Sequence, residues 1–120
     1  MAKSRIKRGD TLNMIVDQEH FDEVMSGKRT MEVIDITPQN ATLYIQHDKE
    51  GYIVEDENGN SIPHPYEKIH YLVGFRRSRD KAMVRIKSIK TELTGGTYIH
   101  EGREWLEEKI TYELGETIKD

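Results

Sequence analysis

Between Phe21 and Val33 the spacing of apolar residues changes from about 3.6 to 2, and the change falls on a single glycine. Phe21, Val24 and Met25 stand at i, i+3 and i+4, so one face of a two-turn helix is apolar. Asp17 suits its N-cap, because its carboxylate accepts orphan backbone amides, and Glu19 complements the positive helix end. Gly27 can close the helix in the left-handed conformation. From Thr30 the residues alternate, with Met31, Val33 and Asp35 on one side and Thr30, Glu32 and Ile34 on the other. A helix over residues 18–26 therefore turns directly into a strand.

The rest of the chain reads mostly as strands. Leu12–Val16 is a short apolar run bounded by Gly9-Asp10 and Asp17. Residues 41–46 alternate. Segments 52–54 and 61–62 flank Asn58-Gly59, a strong hairpin signal, and Pro63 and Pro65 then stop the pairing. Ile69, Tyr71, Val73 and Phe75 are in phase, which sends Tyr71 and Phe75 to a core. Residues 82–90 form another strand whose phase changes near Ser88, as a bulge would produce. After Gly95-Gly96, Trp105 and Leu106 among carboxylates suggest a short surface helix over 101–108, and 110–118 alternates as a closing strand. The tally is about six strands and two short helices. Runs of strands without regular intervening helices argue against a parallel βαβ fold, and short strands need their edges buried. The expected class is α+β, a small mixed β-barrel.

A chain of 120 residues fits one domain, expected over 12–120 behind a flexible basic arm at 1–11. With 35% hydrophobic and 33% charged residues it is polar, yet too regularly patterned for disorder. It lacks cysteine, which excludes disulfide scaffolds, thiol nucleophiles and thiolate metal sites. No apolar run approaches bilayer length, and the basic amino terminus lacks the apolar stretch of a secretion signal. The expectation is a soluble, cytoplasmic protein with no membrane partner.

The formal charge is −4, but the signs segregate. Residues 76–90 carry seven Lys/Arg and only Asp80, whereas 101–120 carry seven Asp/Glu against Arg103, Lys109 and Lys119. Exposed charges more than about 10 Å apart are largely screened from one another, so a basic face can attract polyanions despite the total. Arg76, Arg77 and Arg79 have two readings. Either they solvate a strand connection, or their planar guanidiniums hold phosphates. Tyr66, Tyr71 and Phe75 lie near them in sequence and offer stacking surfaces if they are not core.

The unit Phe21-x-x-Val24-Met25-Ser26-Gly27-Lys28-Arg29-Thr30-Met31-Glu32-Val33 resembles the signature of ASCH domains, small barrels of the PUA-like superfamily. Their hallmark is a helix ending in Gly, followed by x-Lys-Thr/Ser-x-Glu-x-Arg on the next strand. Gly27, Thr30 and Glu32 match it, while Arg29 occupies the Lys position and Ile34 the Arg position. The segment from Trp105 to Ile118 also resembles the last strand of bacterial members. The resemblance implies binding of RNA, a nucleotide or a modified nucleoside in a cleft beside this corner. Lys28, Arg29, Thr30 and Glu32 would line it, assisted by Arg76, Arg77 and Arg79.

Some similar proteins hydrolyse the acyl amide of N4-acylated cytidine with a Lys and a Thr from this segment and a Glu from elsewhere. Here those two positions hold Arg29 and Glu32. An arginine stays protonated and cannot serve as a base, and an ordinary strand points Lys28 to the opposite side. Simpler readings stand beside these: Glu32 and Arg29 as a surface ion pair, Lys28 as a solvated turn residue, Thr30 as a strand former. Three functions remain open: an RNA- or nucleotide-binding module, an amidohydrolase acting on acylated nucleosides, and a protein-interaction module whose basic connection docks on acidic partners. No cofactor is expected. The five histidines lack ligand spacing, so no metal is expected either. Phosphate-loop and Gly-x-Ser-x-Gly patterns are absent.

Overall fold

Asp17 and Gly27 act as the sequence suggests. In the computed structural model, which describes residues 9–118, helix α1 runs Gln18–Ser26 with Asp17 accepting from the His20 amide at 2.8 Å. Gly27 adopts φ 82° and returns its amide to the Val24 carbonyl. A residue with a Cβ enters that backbone region at a cost, which is why glycine sits there. The basic arm expected over 1–11 lies, up to residue 8, outside the described residues.

Five strands accompany two helices: β1 Thr11–Val16, β2 Met31–Ile36, β3 Lys68–Val73, β4 Lys81–His100 and β5 Arg103–Ile118, with α2 at Ala41–Tyr44. They form one sheet in the order β1-β3-β4-β5-β2. β1 lies parallel to β3, from Thr11 opposite Lys68 to Val16 opposite Val73, and β3 is antiparallel to β4, with Tyr71 opposite Ala82. The class is α+β, as expected. β1 and β2 stand at the two ends of the order, so the sheet is open where a closed barrel was expected.

Three local expectations are corrected. Residues 41–44 form one helical turn and not a strand, because a tight turn leads into it: the Thr37 amide donates to Asn40 Oδ1 at 2.8 Å and the Ala41 amide to the Thr37 carbonyl. Local polar bonds override an alternating pattern there. Segment 101–108 is not helical; from Arg103 it opens strand β5. Glu101 and Gly102, at φ 51° and 76°, make the two-residue turn between β4 and β5, the conformation that matches strand twist. The Asn58-Gly59 hairpin is paired through an isolated bridge, Glu55 to Ser61, and forms no extended ladder. Its turn is closed by Asp56, whose carboxylate accepts from the amides of Asn58 and Asn60.

Contacts divide the described residues into two compact units. One comprises Gly9–Glu32, Pro65–Ser88 and residues 112–118; the other comprises Val33–His64 and Ile89–Thr111. In the first, Leu12, Ile69, Tyr71, Val84 and Tyr112 are almost wholly buried. Each such side chain contributes about 1.5–3 kcal/mol by leaving water. In the second, Ile36, Ile45 and Ile110 are buried alongside Ser61 and Glu108. That carboxylate is satisfied by Ser61, through the hydroxyl at 2.8 Å and the amide at 3.3 Å. Among the described residues no helix is long and apolar enough to cross a membrane.

Candidate functional site

Strand β2 turns Glu32 inward while Met31 and Val33, on either side of it, are about half exposed. Only 4% of Glu32 remains accessible. A buried carboxylate is costly unless donors surround it, and here they come from two elements. Tyr71 on β3 donates its hydroxyl to Oε2 at 2.6 Å, and His20 in the first turn of α1 places Nε2 2.7 Å from the same oxygen. The two rings lie 6.1 Å apart between centroids, tilted by 49°. The other oxygen, Oε1, faces Arg29 Nη1 at 4.0 Å, beyond hydrogen-bond length.

Arg29 reaches this side because the corner is wound back on the helix. Its amide donates to the Glu23 carbonyl at 3.0 Å, and its Nη2 donates to Glu23 Oε1 at 2.7 Å. An undistorted strand would separate Arg29 from Glu32; the turn after Gly27 brings them to one side. Arg29 Nε is enclosed and has no hydrogen-bond partner among the described residues. Lys28 is exposed, with its ammonium 3.9 Å from Glu23 Oε2. Thr30 is also exposed, and its carbonyl accepts from the Leu114 amide of β5.

Burial pushes the Tyr71 phenol well above its ordinary value, and the hydrogen bond to Glu32 and that residue's negative charge push the same way; Arg29 opposes them weakly. Tyr71 is therefore a permanent donor at any ordinary pH, and Glu32 Oε2 is committed to it. An open depression on the outer side of α1, lined by Glu19, Asp22, Glu23, Ser26 and Lys28, is acidic and does not suit phosphate.

The arginine-rich bend follows β3. Arg76 and Arg77 are exposed, whereas Arg79 donates Nη1 to the Gly74 carbonyl at 2.6 Å and so holds the bend shut. Gln18 at the start of α1 donates to Asp80 at 3.1 Å, which ties the bend to the helix turn that carries His20. Tyr71 precedes Gly74 by three residues, about 10 Å of extended chain. Tyr66 is core, and so is the Tyr71 ring, but Phe75 is 85% exposed. Its in-phase spacing pointed inward; Gly74, at φ 62°, turns the chain out of the strand before it.

Sequence reasoning missed His20 and Glu23. Helical spacing carried the signal, since His20, Glu23 and Val24 stand at i, i+3 and i+4. For Tyr71, a tyrosine in place of phenylalanine in a buried strand already calls for a polar partner. Among the described residues no three His, Asp or Glu side chains form a metal-binding group. Neither a protein-family model, nor a curated protein, nor a solved structure matches the chain.

Proposed function

We propose that this chain is an ASCH-type, PUA-like domain that binds RNA or a nucleotide-sized ligand beside the Gly27–Glu32 corner. The observation that carries this reading is the division of labour at Glu32. Oε2 is held by Tyr71 and His20, while Oε1 has only a distant guanidinium. A fixed carboxylate whose second oxygen accepts no hydrogen bond among the described residues keeps acceptor capacity that the exocyclic amino group of a base can use, as carboxylates do for cytosine N4. Arg29 is oriented beside it, and Lys28 stands at the rim. Phosphates belong at Arg76 and Arg77.

The test is a salt titration of affinity for a short single-stranded RNA. Affinity falls steeply with salt, and Arg76→Ala and Arg77→Ala each flatten the log–log slope by about 0.7. Salt-independent binding, or no binding, overturns the reading.

A second reading is an amidohydrolase acting on N4-acylated cytidine-type nucleosides. It is favoured by the 2.7 Å contact between His20 Nε2 and Glu32, because a carboxylate that orients an imidazole equips it for proton transfer. Arg29 supplies no base, so His20 would take that part. Release of cytidine from N4-acetylcytidine, abolished by His20→Gln in a folded protein, would place this reading first.

A further inference from the structure

Phe75 is the most exposed large apolar side chain among the described residues. Its neighbours Arg76, Arg77 and Ser78 are exposed too. Yet the base of this bend is tied down. Arg79 Nη1 donates to the Gly74 carbonyl at 2.6 Å, the Val73 amide to the Asp80 carbonyl at 3.0 Å and the Gly74 amide to the Val16 carbonyl at 3.1 Å, and Gln18 holds the Asp80 carboxylate. An aromatic ring is thus presented to solvent on a braced loop, with two guanidiniums directly after it. Bracing of this kind lowers the ordering cost of binding.

We infer that Phe75 is a stacking platform for one unpaired base of a single-stranded nucleic acid, with Arg76 and Arg77 holding the phosphates that flank it. This rests on the RNA-binding reading above and narrows it to unpaired strands. Every base has a face on which an aromatic ring can stack, and arginine adds phosphate contacts and stacking of its own. Bases inside a duplex already stack on one another and offer no such face. A membrane contact fits less well. One ring with two arginines buries little apolar area.

The experiment uses the whole chain and a fluorescein-labelled single-stranded RNA of about ten nucleotides, a length within the usual footprint of such sites. The same strand with abasic residues and a matching duplex are measured beside it by anisotropy at one salt concentration. Phe75→Leu is expected to weaken binding of the intact strand about fivefold or more while leaving the abasic strand and the salt slope unchanged, and Phe75→Trp to restore it. If Phe75→Leu binds the intact strand like the parent protein, while Arg76→Ala and Arg77→Ala still flatten the salt slope, the stacking role is overturned and RNA binding stands. If the parent protein binds no oligonucleotide, both fall. Phe75-dependent binding to vesicles of phosphatidylcholine and phosphatidylserine, without RNA binding, reassigns the ring to a membrane surface and also overturns the inference.

Discussion

The hydroxyl of Tyr71 donates to Glu32 Oε2 at 2.6 Å, joining two residues 39 positions apart in sequence, one fully buried and the other 96% so. The bond couples the core of the unit to the candidate site. The same buried ring, on the strand paired with β1 and β4, also fixes the carboxylate on which the proposed recognition depends.

Removing that hydroxyl leaves a largely buried carboxylate with one donor fewer. Tyr71→Phe keeps the ring and should cost about 1.5–3 kcal/mol, the range for a hydrogen bond to a charged group. Urea denaturation should show a lower midpoint with an unchanged slope. An unchanged midpoint would mean that His20 alone satisfies Glu32.

Alkaline pH should act on the same bond. Tyr71 holds its proton far more tightly in the folded state than the ordinary value of 10.0. Above pH 10 the unfolded chain releases this proton and the folded chain keeps it, so the unfolded state binds fewer protons and stability falls as pH rises. Below pH 10 the contribution is complete. The difference in stability between the parent protein and Tyr71→Phe should therefore be level up to about pH 10 and shrink above it. A gap that widens with alkali would contradict this.

Gly27 offers a test of the corner. A Cβ built there meets nothing within 4 Å, so Gly27→Ala pays only for the left-handed backbone at φ 82°. The expected loss is about 1–2 kcal/mol, with less for Gly27→Asn because asparagine tolerates this region. Thermal unfolding of the three proteins would rank them glycine, asparagine, alanine.

The corner was legible because two strong local signals, an N-capping aspartate and a closing glycine, bracket one amphipathic turn pair. That brackets the turn at Gly27, but the approach of Arg29 to Glu32 depends on how the corner winds back on Glu23, which an ordinary strand would not give. The partners of Glu32 were not legible, because Tyr71 arrives through β3 and its pairing with β1, a non-local event that leaves no mark at residue 32. For the same reason 101–108 read as a helix: Glu108 looks like a surface charge until Ser61, 47 residues away, is seen to satisfy it. Phe75 failed differently. Period-2 alternation assumes a strand that continues, and this one stops at Val73, before Phe75 is reached.

Within the other unit, Ser61→Ala should cost about 1–3 kcal/mol, since it removes the shorter of the two bonds to a buried carboxylate. Calorimetry would register a lower transition temperature. Adding Glu108→Gln should recover part of it, because a neutral amide is less costly to bury with one partner than a charge.

The account turns on where a strand of RNA touches this protein. Amide nitrogen–proton spectra, followed as an unlabelled single-stranded RNA is added, answer this residue by residue. Perturbations should gather at residues 27–32, at His20 and Tyr71, and along 74–77, and should fade as salt is raised. Spectra that do not change, or changes confined to the β4–β5 turn around residues 98–106, would contradict it.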